Sequence, residues 1–152
     1  MNGLIATNRK AHRDYAILET LECGIELKGS EVKSLRLSKM DMEGGFARIE
    51  KNEVILYNTH ISPYLEASYL NVEPKRPRKL LLRKNQITKL ASQSAQKGLT
   101  LVPVKAYFST RGFAKIELAV CKGKKTYDRR EDIKRRETDM ELRRAIKNRR
   151  HN

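Results

Sequence analysis

The sequence predicts a mainly β protein, built as a small closed or nearly closed barrel with two short helices. Six short segments place apolar residues at alternate positions, which is the pattern of strands with one buried face. Two further segments space their apolar residues as an amphipathic helix does. A chain of 152 residues has room for one domain of this kind, at residues 1–121, and for a tail over residues 122–152.

The predicted strands are joined by short turns. Residues 22–24 are expected to be a tight connection between the first two strands, and Lys51 and Asn52 to turn the third into the fourth. Pro103 has no N–H to donate, so its strand is expected to lie at a sheet edge or to be bulged there. The six predicted strands are residues 15–21, 25–27, 46–50, 54–57, 102–108 and 114–120.

Capping residues and a glycine predict where the two helices begin and end. Ser30 is expected to cap the first helix, which the apolar spacing carries to residue 36. The second helix is expected to begin at Asn85 and to run through Lys97, with Gly98 as its stop. Between them, residues 71–79 contain two prolines and are predicted to form an extended loop.

The chain is strongly basic, with 33 Lys and Arg against 18 Asp and Glu and a formal net charge of +15. A positive field of this size favours a polyphosphate partner or an anionic membrane surface. A membrane is the poorer candidate, because no apolar run approaches about 18 residues and the basic tail has few bulky apolar side chains to insert into lipid. Nucleic acid is therefore the expected partner.

The sequence lacks the residue patterns of enzymes and metal sites. Cys23 and Cys121 stand far apart without partners at zinc-ligand spacing, so no metal and no cofactor is expected. Gly123 and Lys124 do not form a nucleotide-binding phosphate loop, since that motif needs a second glycine where Leu118 stands. The sequence thus predicts a non-enzymatic protein. Because it begins with no secretion signal, we expect it to be cytoplasmic, with reduced thiols.

Clusters of cations indicate where nucleic acid would bind. One cluster lies near the N-terminus, a second covers residues 75–84, and the tail is the third; the first predicted helix adds an outward basic face. Together on a basic barrel they indicate phosphate contacts at several places, as in barrels of the oligonucleotide-binding type. The basic candidates on the barrel are Arg9, Lys10, Arg13, Lys33, Arg36, Arg78, Lys79 and Arg83.

The tail carries 13 basic and 6 acidic residues and almost no large apolar ones, so it cannot fold by burying a core. Pairs such as Glu131 and Arg135 support a helix by only about 0.2–0.5 kcal/mol each. We expect the tail to be disordered or partly helical when free and helical when bound. Tyr127, set among cations, suits stacking on an unpaired base. The alternative reading is a tail that only keeps the protein soluble.

Blocks of sequence along nearly the whole chain resemble one bacterial family. They are NRKAHRDY at residues 8–15, GIEL at 24–27, GSEVKSLR at 29–36, NTHISPY at 58–64, RKLLL at 78–82, KGLTLVP at 97–103 and GKK at 123–125. Any one block is a weak signal, but the whole series in this order is specific. It is similar to the SsrA-binding proteins, also called SmpB, the partners of transfer-messenger RNA in ribosome rescue.

The resemblance implies a fold and a set of partners. It implies an oligonucleotide-binding-type barrel that holds the tRNA-like domain of transfer-messenger RNA. It also implies a tail that becomes helical in the empty mRNA channel, at the decoding region of the small ribosomal subunit. Elongation factor Tu with the alanyl-charged RNA is a further expected partner, and we expect the protein to be a monomer. Two other functions are open from sequence: a general ribosomal or RNA-chaperone protein, and a small RNA-modifying enzyme.

The resemblance also assigns residues. It places RNA contacts at Asn8, Glu22 and Leu81, with neighbouring cations such as Lys33 and Lys79. Core packing is the alternative for Leu81. Glu22 either decorates a hairpin or accepts a hydrogen bond from an RNA amino or hydroxyl group. Arg129 stands where the family usually has Lys, which keeps the charge and changes its geometry. The tail residues expected at the ribosome are Lys124, Lys125, Tyr127, Asp128, Arg129 and Arg130.

Overall fold

The computed structural model of the chain describes residues 3–123 and 126–151, with their side chains except at 68–70, 126–132 and 150–151. Within these ranges the strands are β1 (Gly3–Thr7), β2 (Tyr15–Ile25), β3 (Met40–Asp41), β4 (Phe46–Glu50), β5 (Glu53–Tyr57), β6 (His60–Ile61), β7 (Arg78–Leu81), β8 (Leu99–Phe108) and β9 (Ala114–Gly123). The helices are α1 (Arg9–Asp14), α2 (Gly29–Arg36), α3 (Lys84–Ser94) and α4 (Thr126–His151), with a 3-10 helix at Leu65–Leu70.

Six antiparallel strands form the barrel. Their order is β8-β4-β5-β7-β2-β9, and β9 pairs again with β8, which closes the ring. Strand β8 is long enough to pair with β4 at Leu101 and with β1 over residues 105–108. Strands β3 and β6 form a separate two-stranded sheet. The predicted mainly β barrel of about six strands with short helices is confirmed.

The barrel interior is filled by the alternate, inward-facing residues of its strands. Along β5, Val54 and Leu56 are fully buried while Glu53 is exposed. Leu80 on β7 and Leu118 on β9 complete the same core. Burying each aliphatic side chain of this size stabilises the fold by about 1.5–3 kcal/mol. The alternation therefore also decides which residues stay on the outer face of the barrel, where a partner can reach them.

Two local predictions are confirmed in detail. The β4–β5 hairpin turns at Lys51 and Asn52, whose positive φ angles of 48° and 62° are those of a tight hairpin turn. In β8, the pairing with β9 shifts register between Pro103 and Lys105, so the strand is bulged at the proline as expected.

Two features of the predicted strands are wrong: a turn that is absent and a strand that was missed. Residues 22–24 form no turn, because β2 runs without a break for 11 residues, with Cys23 and Ile25 facing the core. The sixth barrel strand is instead β7, whose first two residues fall in the predicted loop over residues 71–79. Strand β7 was not predicted from the sequence because Arg78 faces inward, and a cation at an inward-facing position breaks the usual apolar alternation of a strand.

The helices are shifted from their predicted ends. Helix α2 begins at Gly29 with Lys28 as its N-cap residue, so Ser30 lies inside it. Helix α3 runs from Lys84 to Ser94, and not from Asn85 to Lys97, although Gly98 has the positive φ of 85° expected after a helix. Strand β1 and helix α1 were not predicted, because 5 and 6 residues are too few to show a clear period.

Within the tail, Thr126–His151 form one helix of 26 residues, α4. All side chains described in it, from residue 133 to residue 149, are exposed. They include Ile133, Met140, Leu142 and Ile146, each more than half exposed. Strand β9 extends to Gly123, just beyond the boundary we predicted for the barrel domain. How helical the tail is without a partner stays a prediction.

Candidate nucleic-acid interface

A row of neighbouring residues crosses the outer face of five adjacent strands. Strand register places Leu81 beside Gly24, Gly24 beside Lys115, Lys115 beside Tyr107, and Tyr107 beside Leu4. Directly opposed residues in antiparallel strands have their Cβ atoms about 4.5–5.5 Å apart. Leu81, a predicted RNA contact, therefore lies on a continuous surface that extends to Leu4.

Glu22 belongs to the next row of the same face. It is exposed in the middle of β2 and lies opposite Glu117 of β9, which in turn lies opposite Lys105 of β8. Since residues 22–24 form no hairpin turn, the reading of Glu22 as hairpin decoration is wrong. The hydroxyl of Tyr107 donates a hydrogen bond to the Glu22 carboxylate. This bond joins the two rows and orients the carboxylate.

The protonation state of the Tyr107 phenol follows from its surroundings. Burial of the phenol, and then its hydrogen bond to the Glu22 carboxylate, raise the pKa of Tyr107 well above its usual range. The phenol is therefore protonated at neutral pH and acts as a donor. A cavity of about 370 Å³ opens beside this pair. Its lining residues are Leu4, Thr20, Leu21, Glu22, Lys105, Tyr107 and Glu117.

An apolar groove continues the surface past Gly24. It has a volume of about 340 Å³, and its walls include Leu81 and Phe113. Leu81 is 49% exposed and Phe113 is 64% exposed, whereas Leu80 is buried in the core. Core packing is therefore wrong for Leu81. A Cβ atom added at Gly24 would lie 3.1 Å from the Cβ of Leu81, so only glycine leaves that leucine its present position.

Asn8 was predicted to contact RNA, but the structure places it inside the protein. Its side chain accepts a hydrogen bond from the Ala11 N–H at 3.1 Å and so caps helix α1. Its amide donates to the carbonyls of Met42 at 3.1 Å and Pro103 at 2.9 Å. Asn8 is 4% exposed, with all these groups paired. It holds α1 on the barrel, and its buried side chain is already engaged in these three hydrogen bonds.

Helix α1 presents cations that can reach a partner. Arg9, Lys10 and Arg13 are all exposed. Lys10 lies 3.2 Å from Glu43, and Arg13 lies 3.4 Å from Asp14. Exposed pairs of this kind contribute only about 0–1 kcal/mol, so phosphate groups can replace the carboxylates at little cost.

Arg78, another predicted RNA contact, is also enclosed in the structure. It is 1% exposed, and its Nε lies 2.6 Å from a carboxylate oxygen of Glu31. Its other nitrogens donate to the carbonyls of Thr59 at 2.9 Å and Pro74 at 2.8 Å. A side chain so enclosed cannot contact RNA in this conformation. Arg78 instead ties the loop before β7 to helix α2.

Glu31 is the anion at the centre of this buried network. Burial opposes its charge, but hydrogen bonds from Arg76, the Lys28 N–H and Arg78 outweigh that cost and hold the pKa of Glu31 below its usual range. Breaking such a network by removing one partner costs far more than breaking a surface pair, because it leaves a buried charge unpaired.

The remaining basic candidates lie on the barrel surface. Lys79 is on the outer face of β7, 3.1 Å from Glu53. Arg83 is exposed at the N-cap of α3, and Arg36 is exposed at the end of α2. Lys33 lies over the ring of Tyr64, 5.5 Å from its centroid. These four side chains can contact phosphate without rearranging the core.

The predicted ribosome contacts of the tail lie outside what the structure describes. Lys124 and Lys125 fall between the described ranges. Tyr127, Asp128, Arg129 and Arg130 lie in the first turns of α4, and their side chains are likewise outside the described residues. Their roles stay predictions.

The described residues also bear on metal, membrane and thiol chemistry. The part of the chain that the structure describes holds no group of three or more His, Cys, Asp or Glu placed to bind a metal ion. No helix in that part is both long and apolar enough to cross a membrane. Cys23 and Cys121 are buried free thiols, and burial raises their pKa values to about 12 and about 11. Neither is a reactive thiolate at neutral pH.

Comparison with known proteins identifies the family. The sequence model of the SmpB protein family matches residues 5–148. The chain belongs to the SmpB family. It is 56% identical over 144 residues to the SsrA-binding protein of Caldicellulosiruptor bescii, covering 95% of this chain and 90% of that one. It is 52% identical over 147 residues to that of Carboxydothermus hydrogenoformans, covering 97% and 98%. With that of Enterococcus faecalis it is 50% identical over 147 residues, covering 97% and 95%.

A solved member of the family has a similar structure. It is described as "tmRNA-SmpB: a journey to the center of the bacterial ribosome". The two chains superpose with a TM-score of 0.70 at 53% identity, covering 82% of this chain and 86% of that chain. The resemblance drawn from the sequence blocks is therefore confirmed.

The structure brings some residues into the interface that sequence reasoning missed. They are Tyr107, Phe113 and Gly24. A glycine inside a strand, and an exposed aromatic residue directly after a turn, are signals that sequence reasoning could have used. The Glu22–Tyr107 bond had no such signal, since 85 positions separate the two residues.

Proposed function

We propose that this protein is an RNA-binding adaptor that binds the tRNA-like domain of transfer-messenger RNA and delivers it to stalled ribosomes. The observation that carries the proposal is the likeness, across almost the whole chain, to proteins named for binding SsrA. The geometry supports it independently, because one outer face combines a fixed carboxylate, two exposed apolar side chains and flanking cations. That is the mixture with which proteins bind unpaired bases and their phosphates.

Within this proposal the barrel and the tail do different work. The surface around Glu22, Leu81 and Phe113 takes unpaired bases of the RNA, while Lys33, Lys79 and Arg83 take phosphates. Asn8 and Arg78 act on RNA binding only by holding α1 and the loop before β7 in place. The tail occupies the decoding region and the empty mRNA channel, with Tyr127 and the cations beside it against ribosomal RNA.

The same proposal assigns the cellular setting. The protein acts as a monomer in the cytoplasm, has no catalytic activity of its own, and travels with elongation factor Tu and the alanyl-charged RNA. Binding is selective for one RNA and weakens with salt, as expected when phosphate contacts release counterions.

Truncation separates the barrel from the tail. A cut after Val120 would remove Cys121, which is fully buried and pairs with Ile17 and Thr100, so we place the cut after Gly123. The truncated protein should fold and bind the tRNA-like domain, while peptide tagging on stalled ribosomes should collapse. Tyr127→Ala in the full chain should lower tagging and leave RNA binding intact. Gel-shift titration and a tagging assay measure the two quantities. Loss of RNA binding on truncation, or intact tagging, would contradict the division.

Selectivity is tested by capture from bacterial lysate followed by RNA sequencing. Enrichment of transfer-messenger RNA supports the proposal. Recovery of RNA in proportion to its abundance would favour a general RNA chaperone, and turnover of an RNA substrate by the purified protein would favour an enzyme.

A further inference from the structure

The cavity beside Glu22 is built to bind something other than phosphate. Glu22 and Glu117 are directly opposed on β2 and β9. Like charges in that arrangement destabilise a sheet. Lys105, which lies opposite Glu117 and lines the same cavity, offsets only one of the two carboxylates. The cavity therefore keeps a negative charge, which repels phosphate oxygens. Whatever enters this part of an RNA-binding face must bring hydrogen-bond donors.

The carboxylate of Glu22 is prepared to accept from a ligand. Tyr107 donates to one of its oxygens and holds its orientation. A carboxylate has about four lone-pair positions, so both oxygens keep acceptor capacity after this bond. Leu4, which is 60% exposed, supplies an apolar wall in the same cavity. A volume of about 370 Å³ is at the small end of ligand sites, where the range is about 300–1,000 Å³, and it suits one base.

Among the RNA bases, guanine matches this acceptor best. Its Watson–Crick edge presents two neighbouring donors, the N1–H and an N2–H, which can each bond one carboxylate oxygen as the fork of an arginine does. Adenine and cytosine present one amino group beside a ring nitrogen acceptor, and uracil presents one N–H between two carbonyls. In each of these a lone pair would face the carboxylate and be repelled.

We propose that the cavity beside Glu22 binds the Watson–Crick edge of one unpaired guanine in the RNA. Glu22 accepts both hydrogen bonds, Tyr107 positions the carboxylate, and Leu4 contacts the face of the base. This rests on the RNA-binding function proposed above and adds the identity of the base and the role of Tyr107. Glu22 is then a specificity residue of the interface, rather than one more contact.

Single-atom changes in the RNA test the proposal. The probe is a tRNA-like-domain transcript in which each unpaired guanosine is replaced, one at a time, by inosine or by adenosine. Inosine lacks only the N2 amino group. At one position, inosine should weaken binding of the full-length wild-type protein about 10-fold, the effect of one hydrogen bond to a charged group, and adenosine about 100-fold.

Protein variants assign the effect to Glu22. In Glu22→Gln the guanosine and inosine transcripts should bind within about 3-fold of each other. Tyr107→Phe keeps the ring and should reduce the discrimination to an intermediate value. Glu19→Gln is the matched control, since it removes the same charge from an exposed carboxylate of β2 that bonds Lys89 outside the cavity, and it should keep the full discrimination.

The outcomes are separable. If no guanosine shows the inosine effect in the wild-type protein, or if Glu22→Gln retains that effect, the guanine site is wrong while the RNA-binding function stands. If the wild-type protein does not bind the unmodified transcript, the proposed function itself fails.

Discussion

Asn8→Ala distinguishes a residue that contacts RNA from one that holds the contacting elements in place. Family resemblance places Asn8 among the RNA contacts, whereas the structure buries it at 4% exposure, and its side chain donates two hydrogen bonds and accepts a third. Alanine removes all three bonds at once. The helix that loses its cap, α1, carries Arg9, Lys10 and Arg13.

The expected loss of stability can be built from those bonds. A side-chain N-cap contributes about 1 kcal/mol. Each of the two amide donors contributes about 1 kcal/mol, and more where a buried carbonyl is left unpaired. The sum is about 3 kcal/mol, which is large against a total of about 5–15 kcal/mol for a domain. At roughly 2–4 °C per kcal/mol for a chain of this size, the melting temperature should fall by about 6–12 °C.

The assay compares stability with affinity. Urea denaturation followed by circular dichroism should show a lower midpoint for Asn8→Ala with an unchanged slope. RNA affinity measured at low temperature, where the variant is still folded, should fall by less than about 3-fold.

Arg9→Ala, at the neighbouring exposed position, is the matched control. It should leave stability unchanged and reduce the salt dependence of RNA binding. If Asn8→Ala were as stable as the wild type and bound RNA more than about 10-fold more weakly, Asn8 would be a direct contact and our reasoning would be wrong.

Three other perturbations test the surface and its support. Lys79→Ala with Arg83→Ala should flatten the slope of log K against log salt by about 0.7–0.9 per lost phosphate contact; an unchanged slope would place this cluster away from the RNA. Phe113→Ala should weaken RNA binding by about 1–3 kcal/mol, the value of stacking on one base, and Phe113→Tyr should not; equal losses in binding titrations would exclude stacking. Glu31 has a lowered pKa in the fold, so its stabilising effect is complete above about pH 5 and is lost as the pH falls through that lowered value. Urea titrations at descending pH should show this loss in the wild type, and a flatter profile in Glu31→Gln, which is already less stable at neutral pH.

Much of the barrel was predictable because its strands obey a local rule. The β4–β5 hairpin, the bulge at Pro103 and the two long strands β8 and β9 all follow from alternation and turn chemistry within a few residues. The errors occur where a distant partner changes that rule. Arg78 occupies an inward position only because Glu31, 47 positions away, neutralises it there. No window of sequence around β7 contains that information.

The candidate interface was also predictable only in part from the sequence. The exposed cations of α1 and the outward position of Lys79 follow from charge and local pattern. Which residues of the family-like sequence blocks contact a partner, and which only support the fold, does not follow from local pattern. Asn8 and Arg78 stand in the same kind of basic or polar segment as Arg9 and Lys79. Only their hydrogen-bond partners, from other strands and loops, show that they are internal.

The sequence by itself determined the class of fold, the basic character of the partner surface and the family, because composition, alternation and ordered motifs are properties of the chain taken in order. Tertiary structure decided which side chains a partner can touch. It placed Glu22, Tyr107 and Leu81 on one face by pairing strands far apart in sequence, it set Phe113 in the same groove as Leu81, and it enclosed Asn8 and Arg78. The physical reason is that exposure and hydrogen-bond partners depend on strand register across the sheet, which is fixed only when the barrel closes.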